Sequence, residues 1–127
     1  MYNVEPNLII SNTDLQRLLP VLDLHDTPAS EALATELHRA VIVEPHAMPD
    51  DVVTMNSEVV YEDVDTKTRR TVTLVYPKDA DATRGRISVL APVGSALLGL
   101  RVGQTISWKL PTGTRRICVV EVRNRNA

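Results

Sequence analysis

The hydrophobic period of this 127-residue chain changes once, at the tract PHAMPDD spanning residues 45–51. Before that tract, past a short extended entry expected at 7–11, apolar residues recur with the spacing of a helix. After it, they alternate or run in short β-branched blocks. A helical face repeats about every 3.6 residues and a strand face every two, so the whole chain cannot form one bundle or one sheet. Helical segments first and strands afterwards predict an α+β protein rather than alternating βαβ units.

The helical part is short. Leu15, Leu18, Leu19 and Leu22 fall at i, i+3, i+4 and i+7 and form one stripe. Thr13 and Gln16 have the spacing of a capping box, which predicts a start at Thr13. Pro20 lacks an N–H and crowds the preceding turn, so a kink or an early end is expected there. DLHDTPAS at 23–30 leads to a second helix, with Thr27 as its cap and Pro28 at its first position. Ala29, Leu33, Leu37, Ala40 and Val41 carry its apolar face to about Val43, and Pro45 ends it. Residues 1–46 are thus expected to be an antiparallel hairpin that buries Leu15, Leu18 and Leu22 against Leu33 and Leu37. Its second helix would extend ~24 Å.

Residues 51–127 read as a small, strongly bent antiparallel β domain. Strands are expected at 52–55, 58–63, 70–77, 87–91, 105–110 and 116–122. One stretch breaks the pattern: ISVLAPVGSALLGLRVGQTI, residues 87–106. Pro92 cannot donate to a ladder and forces Ala91 out of the helical region, so the strand must end there. A helix of about two turns follows at 93–99, flanked by Gly94 and Gly99, and Gly103 supplies a turn. Ala96, Leu97 and Leu98 are expected to be buried under it. The loop LAPVG is left as a stiff, partly apolar protrusion that a partner can grip.

Charge divides as the periods do. Residues 1–50 carry two basic and eight acidic side chains, a net of −6, and residues 51–127 carry twelve and eight, a net of +4. Either these are two faces for different partners or both are ordinary solvated surfaces. The single cysteine, Cys118, excludes an internal disulfide and fits a reducing compartment. No apolar run is long enough to span a bilayer and no signal-peptide pattern is present, so no membrane contact and a cytoplasmic setting are expected.

The residues from Val89 to Ile106 resemble the C-terminal domain of the GreA/GreB transcript-cleavage factor family. Pro92, Val93, Gly94, Ala96, Leu97, Leu98, Gly99, Val102 and Gly103 match its pattern in order and spacing. Ala91 stands where the family carries serine, and Gln104 where it carries an acid. MPDDVVTMNSEVVYED, TLVYP and the short hairpin narrow the resemblance to the Rnk branch, named for regulation of nucleoside diphosphate kinase. The resemblance implies an FKBP-like β domain that docks on RNA polymerase near its secondary channel, with the arm pointing inward. Ala91, Pro92, Val93 and Gly94 then become the docking loop, and Asp23, His25 and Asp26 the channel-facing tip.

Catalysis by the protein itself is not expected. The cleavage factors hold Mg²⁺ with two acids at the tip of a long coiled coil, whereas this arm is short and no tip motif matches. His25, His38 and His46 have no ligand spacing, so no metal is expected, and no cofactor motif occurs. Cys118 sits among valines as a small core residue rather than a nucleophile. Prolyl isomerisation needs a cleft walled by aromatic rings, and this chain has one Trp, three Tyr and no Phe. Arg115, Arg116, Arg123 and Arg125 offer a salt-sensitive contact to nucleic acid, without interleaved aromatics to stack bases. A monomer that regulates transcription, or alternatively one that contacts nucleoside diphosphate kinase directly, is the expectation.

Overall fold

The computed structural model describes residues 8–25, 27–110 and 113–123. Its N-terminal part is a hairpin of two helices, α1 (Asn12–Leu24) and α2 (Pro28–His38). Strand β1 (Ile9–Ser11) precedes the hairpin, and strand β2 (Val41–Val43) follows it and pairs with β1 in parallel. Ser11, not Thr13, caps α1: its hydroxyl accepts from the Asp14 amide at 3.1 Å. Ser11 keeps the extended backbone of the strand it ends, which a cap residue needs, while Thr13 already lies in the first turn.

Pro20 neither ends nor shortens α1, which continues to Leu24. Pro20 lies on the exposed side, and the fully buried Leu18 anchors the same turn. The cap of α2 is as the sequence predicts, with Thr27 Oγ1 accepting from the Ser30 amide and Ser30 Oγ from the Thr27 amide, both at 3.1 Å. But α2 stops at His38 and spans only ~16 Å. The run Val41-Ile42-Val43, expected to prolong the helix, is β2 instead, because its β-branched side chains favour extended backbone.

The C-terminal part is a five-stranded sheet of β3 (Glu58–Asp63), β4 (Arg69–Val75), β5 (Arg86–Ser88), β6 (Thr105–Leu110) and β7 (Gly113–Arg123). Its order is β5-β4-β3-β7-β6. A short helix, α3 (Pro92–Leu97), follows β5. The sheet is not purely antiparallel. Two 3₁₀ turns between β4 and β5 carry the chain back, so those strands run parallel. Residues 52–55 form no strand; Val52 makes an isolated bridge to Arg101. The β3–β7 register shifts between Val60 and Tyr61, a bulge that increases local twist.

Hairpin and sheet share one apolar core. Leu18, Leu33 and Leu37 are buried in the same cluster as Met55, Leu74, Leu97 and Ile117. A polar tie reinforces this packing, because the Met55 amide donates to Asp14 Oδ2 at 3.2 Å. Asp14 is only 7% exposed. Burial raises its pKa above the ordinary 3.8, against the opposing pull of the Met55 amide and Arg17. A raised carboxylate pKa means that the contribution of Asp14 is fully present below its unfolded value and is lost as pH rises through the folded one. Asp14→Asn keeps an acceptor for Met55 without a buried charge. Denaturant melts of both proteins should therefore show the variant gaining on the parent as pH rises from the carboxylate range to neutrality. A gap that does not change with pH would show that this charge is not desolvated.

Candidate partner-docking site

The corner between β5 and β6 is built on backbone contacts. Beyond β5 the chain turns through Val89–Ala91, where the Leu90 amide donates to Ser88 Oγ at 3.0 Å and the Ala91 amide to the Ser88 carbonyl at 2.9 Å. Pro92 then opens α3, where its missing N–H costs nothing. Gly94 lies inside α3 rather than ahead of it. A Cβ there would fall 2.1 Å from the Ser88 carbonyl oxygen, so α3 rests directly on the backbone it has just left. Gly99, at φ +81°, ends the corner, and its Cβ would meet Leu8 at 2.7 Å. The Gly99 amide donates to Val53 at 3.0 Å and the Val53 amide to Leu100 at 2.8 Å, which stitches the corner to the segment before β3.

Of the four residues expected to form the docking loop, Pro92 is exposed, Ala91 and Val93 are half-buried, and Gly94 is buried. Gly94 therefore serves by lacking a side chain. Beneath the corner Leu97 and Leu98 are buried, while Ala96 is only half-buried. Gln104, which replaces the family's acid, still accepts a hydrogen bond through Oε1, from the Arg101 amide at 2.7 Å. Ala91 is a real loss, because α3 has no side-chain cap. Ala91→Ser should restore one and raise stability by ~0.5–2 kcal/mol. A chemical melt checks this, and an unchanged midpoint would show that the α3 amides are already satisfied.

At the other end of the hairpin, Asp23 is exposed, and Asp26 lies outside the described residues. His25 is half-buried, with Nδ1 donating to the Val21 carbonyl at 2.9 Å. Its ring lines a cleft with Tyr76, Pro77 and Lys78 and so faces the sheet part of the protein. Sequence reasoning missed Leu24, which is 81% exposed at this tip. The signal was available, since Leu24 lies off the stripe set by Leu15, Leu18 and Leu22.

The basic cluster of the last strand is largely neutralised. Arg115 pairs with Asp63 at 2.8 Å, Arg116 with Asp65 at 2.7 Å, and Arg123 with Glu58 at 2.8 Å and Glu121 at 3.0 Å. Arg125 lies outside the described residues. Cys118 is half-buried, and His38 and His46 are exposed. Among the described residues, no helix is long and apolar enough to cross a membrane.

A helical hairpin packed on a five-stranded sheet that carries this proline–glycine corner is also the architecture of a solved transcription elongation factor. The solved structure "Prokaryotic transcription elongation factor GreA/GreB from Nitrosomonas europaea" matches 94% of this chain and 100% of its own, with a TM-score of 0.80 and 44% identity. The chain belongs to the GreA/GreB family: the family described as "Transcription elongation factor, GreA/GreB, C-term" matches residues 48–124, and "Rnk N-terminus" matches 6–43. It is 44% identical over 111 residues to "Regulator of nucleoside diphosphate kinase" of Escherichia coli (strain K12), covering 85% of this chain and 82% of that one. It is 32% identical over 92 residues to "Transcription elongation factor GreA" of Thermodesulfovibrio yellowstonii, covering 72% of this chain but 58% of that one.

Proposed function

We propose that this protein regulates transcription by docking on RNA polymerase near the secondary channel. There it competes with GreA/GreB-type factors without promoting transcript cleavage. The observation that carries this reading is the arm. Its helices hold 13 and 11 residues, or ~20 and ~16 Å, and their inner faces are occupied by the shared core. Such an arm reaches a channel mouth but not an active site deep within it. The proline–glycine corner lies in the sheet part, with Pro92 exposed and Ala91 and Gln104 departing from the family pattern. In this reading the sheet and α3 belong to the FKBP-like class, the protein acts as a cytoplasmic monomer, and it catalyses nothing.

The name of the Escherichia coli relative supports a second reading, direct contact with nucleoside diphosphate kinase. One experiment separates the two. Immobilised protein is offered purified core polymerase and purified kinase, and GreA-stimulated cleavage in stalled complexes is followed as the free protein is added. Retained polymerase and suppressed cleavage are expected, with both effects weakened in a folded Pro92→Asp variant by an unpaired carboxylate at the contact. Retention of the kinase alone, or cleavage without GreA, would overturn the proposal.

A further inference from the structure

We propose that the cleft between α1 and the turn after β4 binds a small phosphate-bearing ligand, with Arg17 and Lys78 holding the anion. Arg17, Val21 and His25 recur at every fourth position and share one face of α1. That face meets Tyr76, Pro77 and Lys78, and together the six residues enclose a cleft of about 330 Å³. This is the lower end of the range for small-molecule sites, and the mix of apolar wall and few polar groups is the usual one. Val21, Pro77 and the Tyr76 ring supply the wall. Two cationic side chains, Arg17 and Lys78, stand around it together with the His25 ring.

The charges matter because they are not neutralised in salt bridges, although Arg17 feels the Asp14 carboxylate nearby. Residues 1–50 contain only two basic side chains, Arg17 and Arg39. Arg39 pairs with Glu36 at 3.2 Å, whereas Arg17 and Lys78 make no ion pair among the described residues. By contrast Arg69, Arg84, Arg101, Arg115, Arg116 and Arg123 each face a carboxylate. A phosphate suits a guanidinium fork beside an ammonium group, with charge-assisted bonds to both. His25 donates Nδ1–H to Val21, so its neutral ring presents Nε2 as an acceptor for a ligand hydroxyl rather than for the phosphate.

A second observation lies at the end of the tyrosine ring. The Tyr76 hydroxyl is buried, and the side chain beside it is Arg17, itself a donor, so the hydroxyl proton has no acceptor. Burial, and then the nearby Asp14 charge, push its pKa up to about 12, so it remains a proton donor lacking an acceptor. A buried donor of this kind is costly. Neither neighbouring cleft suits an anion equally well. One is lined by Asp14 and Asp50 as well as Arg17. The other holds Arg70 and Arg115, but Asp63 lines it too and already pairs with Arg115.

The test is a titration of the full chain followed by ¹H–¹⁵N NMR, with adenosine monophosphate as probe and adenosine as its uncharged control. Saturating shifts at Arg17, Val21, His25 and the amides of Tyr76 and Lys78 are expected with the monophosphate and not with adenosine. Arg17→Gln and Lys78→Gln, each checked for native dispersion, should weaken binding by about tenfold or more. Arg116→Gln, away from the cleft, should not. Equal binding of adenosine, shifts centred on Arg115 and Arg116, or unchanged affinity in both cleft variants would overturn the proposal. Polymerase retention of the same variants is scored separately, since this site does not depend on that reading.

Discussion

Gly94→Ala is expected to destabilise the protein by more than the ~1–3 kcal/mol typical of an overpacked core. The new Cβ would sit 2.1 Å from the Ser88 carbonyl oxygen and 3.2 Å from the Val89 Cα. Both are backbone atoms, so no rotamer change relieves the clash. The helix must lift, and it carries Leu97, which is fully buried. Gly103→Ala is the control: φ is +92° there, but nothing lies within 4 Å of the added atom. That substitution should cost only backbone strain, ~1–3 kcal/mol. Urea midpoints for the two variants decide the matter. A Gly94→Ala loss no larger than that of Gly103→Ala would show that the corner relaxes freely.

Leu18→Ala should cost ~2–5 kcal/mol, because a fully buried leucine leaves a cavity as well as lost contacts. Its more telling effect is on cooperativity. Leu18 packs in the cluster that contains Met55 and Leu74, and Asp14 on the next turn bonds the Met55 amide. Hydrogen exchange should therefore show amides of α1, α2, β3 and β4 losing protection together. Early exchange confined to α1 and α2 would mean that the hairpin opens alone, as a division near residue 50 implies.

What could be read from the residues was whatever depends on one residue and its immediate neighbours. Thr27-Pro28 marks a helix start through a hydroxyl and a missing N–H, and both do that work here. Pro92 and Gly103 act through their own dihedral requirements, so the corner was placed to within a residue or two. The β1–β2 pair was invisible because each strand has three residues and its partner lies about thirty positions away. A run such as Val41–Val43 then looks like the end of a helical stripe. Pro20 misled because its effect depends on which side of α1 faces water. The arginines near the C-terminus looked like a free basic patch, and Asp63, which holds Arg115, lies 52 residues away. Gly94 was correctly marked as special but for the wrong reason, since the close approach to Ser88 is a tertiary fact.

The pairing of Ile9 with Val41 and Ser11 with Val43 pins the two feet of the hairpin side by side. With the feet fixed, the height of the arm can change without moving the leucines packed at its base. Turns added in equal number to both helices beyond Leu22 would raise the tip by ~5.4 Å each, while Leu18, Leu33 and Leu37 stay seated. Reach then becomes a quantity that insertions and deletions near residue 26 can adjust in steps, without redesigning the platform. A protein built this way can be lengthened into a probe or cut back to a plug.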